Sequence, residues 1–533
     1  MFDFNKNFLP VGALTSKPYA FISRPWELET IEFFDIFDSF SSSGKIYIRN
    51  LSVMRILPIV GPRLDNNWVS DKFRFCYDGF YKQRLSSPYI FIKGLGLVSV
   101  NWHVAVKFLL YNIDNSNTFE SVIGRFTPFQ DQLALKDFAS FYTGTDNYKL
   151  ALEFSNFDVD FSSNYLQIAD NFNLDKNNNF DNIIFVGLNL RLESPVLNLH
   201  VRRLVNSFKI RVLTFGSSLN LMYKSRIFNL GSNCSSITNL LLGKTHFSYI
   251  LINRKNLLLI GGSYLNFDTN LLIKLLNDLS KNLKFLGNST FSYSTFFPFL
   301  SQYSSFELGL NNSFDNIISS KKLSFTNNNF LYLIDSDEWS LDTRLYNFIV
   351  YQGHHGDKSS LISDLILPSP LPLETANKYY LNCFGHLKTT NLVFEPFVNL
   401  KDPCFVLQYL TAFILSDNFF NFLSTNFYNY FLNWLFLISD LILFNNFDLN
   451  NFFSRFNFLT FRQNYNFQLN YNFTYNDNFG IIKNYSYTKK LYNYPIFGSY
   501  LSNYYQSDSI TRSSNVMALA FTRFKKEYKN FFN

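Results

Sequence analysis

Leu257–Leu286 reads LLLIGGSYLNFDTNLLIKLLNDLSKNLKFL. The apolar run Leu257–Ile260 is a strand that ends in Gly261-Gly262-Ser263. Leu272, Leu275, Leu276, Leu279 and Leu283 then mark one face of a helix, and Lys284-Phe285-Leu286 opens a further strand. The same order occurs upstream. Ile183–Gly187 is a short apolar strand, Leu197, Val201 and Leu204 recur at helical spacing, and Ile210–Thr214 is a second strand. Phe330–Ile334 and Phe348–Tyr351 supply more short apolar runs. Strands alternating with helices imply an α/β fold, with a mainly parallel sheet, helices on its faces and right-handed connections.

Outward from this centre the pattern changes twice. Up to about Leu85 the chain reads as short strands and loops: Lys45–Arg49 alternates polar and apolar, and Pro58, Gly61 and Pro62 punctuate the next turn. From about Lys401 it becomes helical, with Leu407, Leu410, Phe413 and Ile414 on one stripe. The expected organisation is a small β-rich domain over residues 1–86, an α/β region of two subdomains over 87–400, and a helical, partly irregular region over 401–533. Residues 445–494, rich in Asn, Phe and Tyr without a period, read as a variable insertion. Phe427–Phe444 could pass for a membrane span, but Asp440 lies within it, and an Asp near a span's centre costs about 2.5–3.5 kcal/mol. A buried or docking helix is the reading taken there.

The composition warns against averages. Of 533 residues 65 are Phe and only 11 are Ala, a skew toward residues with A/T-rich codons that runs along the whole chain. Aromatic richness therefore says nothing about an interface or a nucleic-acid stacking surface. A net charge of +7 with 16% charged residues is a mild excess, and its densest run, Arg523-Phe524-Lys525-Lys526, reads as a solvated helix face, so no nucleic-acid partner is expected. Cys76, Cys234, Cys383 and Cys404 stand alone and far apart, with no cluster spacing for iron–sulfur or zinc. They read as free, mostly buried thiols of a reducing compartment. Met1–Lys6 resembles neither a secretory signal nor an Arg-rich transit peptide, so a chain that works in an organelle is expected to be made there.

Motifs with chemistry are sparse. Gly94-Leu95-Gly96 lacks the third glycine of a dinucleotide fingerprint and reads as a turn. Gly261-Gly262-Ser263 follows a strand and precedes a helix, where backbone N–H groups could cradle a phosphate, but a tight strand-to-helix turn needs small residues anyway. Tyr351–Asp357, YQGHHGD, is the densest polar cluster. Its adjacent histidines, His354 and His355, are expected to point in different directions. A metal would need further converging ligands, for which Asp357, Asp364 and His386 are the candidates. A hydrogen-bonded structural turn is the reading taken. No nucleophile elbow or Walker A loop occurs, and no catalytic, cofactor-binding or metal residue is assigned.

Several segments together resemble one family. Thr15–Leu28, TSKPYAFISRPWEL, is similar to the segment following the iron–sulfur domains in the large iron–sulfur (75 kDa) subunit family of respiratory complex I. The resemblance continues at Val53–Pro58, at Trp68–Gly79 (WVSDKFRFCYDG), at Gln83-Arg84-Leu85 and at Val186–Pro195. Val350–Asp357, Asp364–Pro368 and Ser507–Ala518 (SDSITRSSNVMA) complete it, in the family's order. Leu188 and Leu190 depart from it, standing where the family pattern has Thr and Pro, as do Phe384 and His386 where it usually has Glu and Arg.

The resemblance implies a molybdopterin-oxidoreductase-type fold that, in mitochondrial complex I, carries no molybdenum cofactor. It implies a structural, non-catalytic subunit fragment of proton-pumping NADH:ubiquinone oxidoreductase, scaffolding the iron–sulfur chain in the matrix-side peripheral arm. The cluster ligands would lie upstream, on a separate partner chain of a split subunit, and this chain would be organelle-encoded, with no cofactor and no membrane span of its own. The competing readings are a molybdopterin-dependent oxidoreductase that retains its cofactor and, from residues 427–444 alone, an integral membrane protein.

Overall fold

A computed structural model describes residues 19–60, 67–113, 118–143, 148–152, 180–208, 210–216, 221–223, 227–233, 236–237, 240, 246–251, 254–261, 290–308, 310, 329–337, 346–396, 400–420 and 503–532. The chain divides into two units, Met1–Thr411 with Lys490–Asn533, and Ala412–Lys489. The described part of the second unit is the end of the helix Pro403–Phe420, so the membrane-like stretch 427–444 and the insertion 445–494 lie outside the described residues. Among the described residues no helix is long and apolar enough to cross a membrane.

The first unit opens with a three-stranded antiparallel sheet, Glu29–Phe34, Ser43–Arg49 and Ser52–Pro58. Its alternating side chains are legible in Ser43–Arg49, where Gly44, Ile46 and Ile48 are buried and their neighbours half-buried. Ile46, Ile48, Val53 and Ile56 pack with Phe33, Phe34, Phe73 and Phe80 into one core, which the late residues Ile510 and Met517 join.

Two larger sheets follow, one nested in the other. A seven-stranded sheet is ordered Gly96–Ser99, Tyr89–Ile92, Leu365–Pro368, Phe348–Gly353, Asn329–Ile334, Thr118–Ile123, Tyr148–Leu152. Its first two strands form an antiparallel hairpin on the edge and the other five run parallel. The hairpin turns at Gly94 and Gly96, both in the left-handed region, as the turn reading of that motif required. Between Leu152 and Asn329 the chain leaves to build a five-stranded, wholly parallel sheet ordered Ile227–Asn229, Arg211–Phe215, Asn182–Val186, Lys255–Gly261, Thr290–Phe296. Strand Asn182–Val186 is buried throughout, and helix Pro195–Phe208 lays Leu197, Val201, Leu204 and Val205 on that core, with Pro195 at its start where a missing N–H costs nothing. The leucine-faced helix and the strand at 284–286 lie outside the described residues.

The phenylalanine excess is spent on packing. Phe108, Phe348, Phe330, Phe119 and Phe138 form a continuous run of ring contacts, at centroid separations of 5.6, 5.7, 5.4 and 5.2 Å, from helix Trp102–Ile113 across three strands to helix Phe129–Thr143. Such pairs add to simple burial through edge-to-face and offset geometry.

In an open α/β sheet the chain changes direction at a switch point, and ligands sit outside the carboxyl ends of the strands there. Here the switch points fall between Asn182–Val186 and Lys255–Gly261 in the smaller sheet, and between Thr118–Ile123 and Asn329–Ile334 in the larger. Each carries a glycine with no room for a side chain. A Cβ on Gly261 would strike the carbonyl of Gly187 and the backbone of Leu188, and a Cβ on Gly124 would strike the carbonyl of Asp335. Gly124→Ala is therefore expected to destabilise the full chain by about 2–3 kcal/mol. Gly356→Ala, where the nearest atoms are 3.7 Å from a Cβ, should be close to neutral. Urea denaturation of the two variants checks this; equal costs would show that Gly124 is not pressed against its neighbour.

Candidate functional site

The site to test is the carboxyl edge of the larger sheet, because the YQGHHGD cluster lies there. Three strands end side by side in Gly124-Arg125, in Asp335-Ser336-Asp337 and in Gly353-His354-His355. Gly124 N–H donates to the Ile334 carbonyl at 2.8 Å and Asp335 N–H to the Gln352 carbonyl at 2.8 Å, so the strand ends bond to one another. The segment Gln83-Arg84-Leu85 lies alongside as a short extension: Leu85 N–H donates to His354 O at 3.1 Å and Gly356 N–H to Gln83 O at 3.1 Å.

The histidines do not diverge, as the sequence reading had them. Their rings are turned toward each other, with Nδ1 to Nδ1 at 2.7 Å and planes at 88°. The reason is the partner at the far side. His355 Nε2 lies 2.9 Å from the carbonyl of Gly79, which can only accept, so Nε2 carries the proton and Nδ1 of His355 accepts from Nδ1–H of His354. Burial holds both below the ordinary histidine range, His355 at about 4 and His354 well down, with the neighbouring His355 and Arg84 adding to the effect on His354. Both rings are neutral at pH 7, and the second nitrogen of His354 is buried without a hydrogen-bond partner among the described residues. The Tyr351 hydroxyl donates to His355 O at 3.0 Å, closing the turn on itself.

The other candidate ligands are dispersed. Asp357 accepts from Lys358 N–H at 2.8 Å, capping the helix Lys358–Ile362, and from Arg512 Nε at 3.0 Å. Asp364 accepts from Ile349 N–H at 2.9 Å, and His386 sits in the tight hairpin closed by Asn382. Among the described residues no group of three or more His, Cys, Asp or Glu is placed to hold a metal. Charges on this edge are instead paired within the chain. Arg84 meets Glu374 at 2.6 Å with both side chains almost fully buried, and Lys378 bridges Asp131 and Asp402 at 2.6 Å each. Burial opposes the charge on Lys378, but the two carboxylates around it win and raise its pKa. Burial also pulls Asp131 up, to about 7; with an ammonium this close we take the ionised pair as the working state.

The chain's late segment fills the remaining space at the strand ends. Arg125 Nη1 donates to the Ser507 carbonyl, and Ser509 N–H donates to Asp337 Oδ2 at 3.2 Å. None of these contacts has a local signature. Arg84, Arg125, Glu374 and Arg512 were not singled out by the sequence reading, although Arg84 and Arg512 fall inside the quoted motifs Gln83–Leu85 and Ser507–Ala518.

Residues 84–412 match the family described as "Molybdopterin oxidoreductase". Residues 28–78 match "NADH-ubiquinone oxidoreductase NDSU1/NuoG-like, 4Fe-4S domain". The chain is 32% identical over 424 residues to the NADH-ubiquinone oxidoreductase 75 kDa subunit of Reclinomonas americana, covering 75% of this chain and 60% of that protein. It is 30% identical over 544 residues to the subunit of the same name from Acanthamoeba castellanii, covering 98% and 71%. The mitochondrial NADH-ubiquinone oxidoreductase 78 kDa subunit of Neurospora crassa is 30% identical over 394 residues, covering 72% and 51%. The chain belongs to the molybdopterin oxidoreductase family and, within it, to the family of the NADH-ubiquinone oxidoreductase 75 kDa subunit. It spans about three-fifths of the length of the Reclinomonas relative and about half of the Neurospora one.

The family descriptions imply two cofactors, and each can be tested against the residues present. The molybdopterin crevice would lie at the switch points. There Gly261 and Gly124 press on backbone, Leu188 and Leu190 are wholly buried in the core, and Ser507–Ser509 occupies the larger sheet's strand ends. These residues do not fit that cofactor. The match over 28–78 corrects the expectation that iron–sulfur sequence lies wholly upstream of this chain. A four-iron cluster takes four thiolates, but Cys76 is the single cysteine in that stretch. It is buried with Phe73 and Phe80, and burial pushes its thiol well up, which disfavours the thiolate a ligand must be. Those residues do not fit a four-thiolate cluster either.

The same stretch holds two buried carboxyls in the loop after its first strand. Asp35 accepts from Phe37 N–H at 2.9 Å and from the Ser70 hydroxyl; Asp38 accepts from Phe40 N–H at 3.0 Å and from Ser194 Oγ at 3.0 Å. Burial raises Asp35 to about 6, and burial with the neighbouring Asp35 charge raises Asp38 to about 7. Both titrate higher folded than unfolded, so what they contribute is full below about pH 4 and is lost as pH rises through about 7. Asp38→Asn, which keeps an acceptor for Phe40 N–H and reverses the Ser194 bond so that the amide donates to the hydroxyl, should be more stable than the parent by roughly 2 kcal/mol at pH 8 and flatten the fall between about pH 4 and 7. Denaturant curves across that range check it; an unchanged slope contradicts the raised pKa.

Proposed function

We propose that this chain is a structural, non-catalytic part of a proton-pumping NADH:ubiquinone oxidoreductase, working in the matrix-side peripheral arm of the mitochondrial inner membrane. The observation that carries the proposal is the pairing of 75 kDa-subunit membership with strand-end crevices filled by the chain's own residues. In this reading the clusters sit on a separate chain holding the iron–sulfur domains of the same subunit, the present chain is organelle-encoded, and it contributes neither a catalytic residue nor a cofactor ligand. Its physical task is to bury a face against that partner, holding the clusters at fixed spacing and away from water, since exposure and nearby charge tune their potentials. An obligate contact of this kind buries more than ~2,000 Å². The alternative, a molybdopterin-dependent oxidoreductase, needs room at the strand ends, where Leu188 and Leu190 are buried in the core and Ser507–Ser509 is bonded to Arg125 and Asp337.

Depleting this chain should deplete the assembled complex and its NADH:ubiquinone activity together, and the chain should copurify with a cysteine-rich partner. Fully active complex persisting after depletion would overturn the proposal.

A further inference from the structure

The segment Ser507–Met517 touches both halves of its unit. On the sheet side it supplies the Ser507 carbonyl to Arg125, the Ser509 N–H to Asp337, and Arg512 to Asp357. On the side of the small module, Asp78 caps the helix Asn515–Phe532 by accepting from Asn515 N–H at 2.9 Å and from the Ser514 hydroxyl. Lys72, itself buried, donates to Ser507 Oγ at 2.8 Å, and that hydroxyl donates to Asp508 at 2.8 Å. Ile510 and Met517 are buried in the core that the module's Phe73 and Phe80 share with Phe126, Leu371 and Tyr380 of the sheet side. The Ile510 carbonyl lies where a Cβ of residue 79 would be, so only glycine at that position lets the segment approach.

We propose that Ser507–Met517 is an internal ligand: it takes the place of a dissociable ligand at the larger sheet's switch point and locks residues 71–81 to the sheet, so the two sides open only together. Its polar atoms answer a polar cradle, as a bound ligand's would. Arg125, Asp337 and Asp357 face it from the sheet, and Lys72 and Asp78 from the module. A covalently attached ligand binds within its own chain, at an effective concentration set by its tether, so the lock does not depend on supply.

Hydrogen exchange read by mass spectrometry on the full chain tests this. Amides of residues 509–516 and 73–80 should be protected as strongly as those of strand Phe348–Gly353. Arg512→Ala removes a charged donor pair and should speed exchange in both segments about tenfold, leaving strands Asn182–Val186 and Arg211–Phe215 unchanged. Faster exchange in 509–516 with 73–80 unaffected would overturn the lock. If Arg512→Ala fails to fold, the smaller sheet also loses protection, and the reversed pair, Asp357→Arg with Arg512→Asp, then decides. Recovery of protection in both segments supports the proposal; recovery in neither overturns it.

Discussion

One carbonyl oxygen, that of Gly79, receives Nε2–H of His355 at 2.9 Å and lies 3.1 Å from Ser513 Oγ, whose single proton is shared between it and the Ile510 carbonyl at 2.8 Å. Its two lone pairs thereby join three stretches of chain: the module at the start, the sheet edge in the middle and the segment near the end. The rest of the junction depends on this geometry. Because the Gly79 carbonyl can only accept, it fixes the proton on Nε2 of His355, and with burial keeping both rings neutral this sets the tautomer of His354 as well. Because residue 79 has no side chain, Ile510 can reach the core that Phe73 and Phe80 begin. A buried polar network of this kind is stable only when its members are answered, and most are answered here from within the chain.

The same economy governs the places where the fold would otherwise admit a ligand. Gly124 follows the earlier strand beside one switch point and Gly261 ends the later strand beside the other, and both are used for backbone-on-backbone closure. Leucines at 188 and 190 extend the core to the strand ends. A scaffold built this way tolerates a skewed composition. Phenylalanines fill the layers between helix and sheet, where size and hydrophobicity matter more than identity.

Much of the fold was legible because the signals are local. The strand–helix–strand rhythm at Ile183–Thr214, the Gly94–Gly96 turn and the stripe at Leu407–Leu410 all depend on neighbours a few residues away, and the structure has a strand, helix, turn or helix at each. The nesting of one sheet within the other was not legible, since periodicity marks a strand but not the sheet it joins. The junction was hidden for the same reason: Ser513 and Gly79 are 434 residues apart, and nothing within either segment encodes the other. The histidine pair was misread because two adjacent side chains on a loop ordinarily diverge, whereas here one acceptor across the interface turns them together.

The proposed non-catalytic role rests on strand ends taken up by the chain's own residues. Elemental analysis for molybdenum and tungsten, with extraction of pterin, on the chain purified in its native assembly tests this most directly. The account predicts that none of the three copurifies with the chain in stoichiometric amount. One equivalent of either metal together with pterin per chain would contradict it, because the cofactor would then have to displace Ser507–Ser509 from the strand ends.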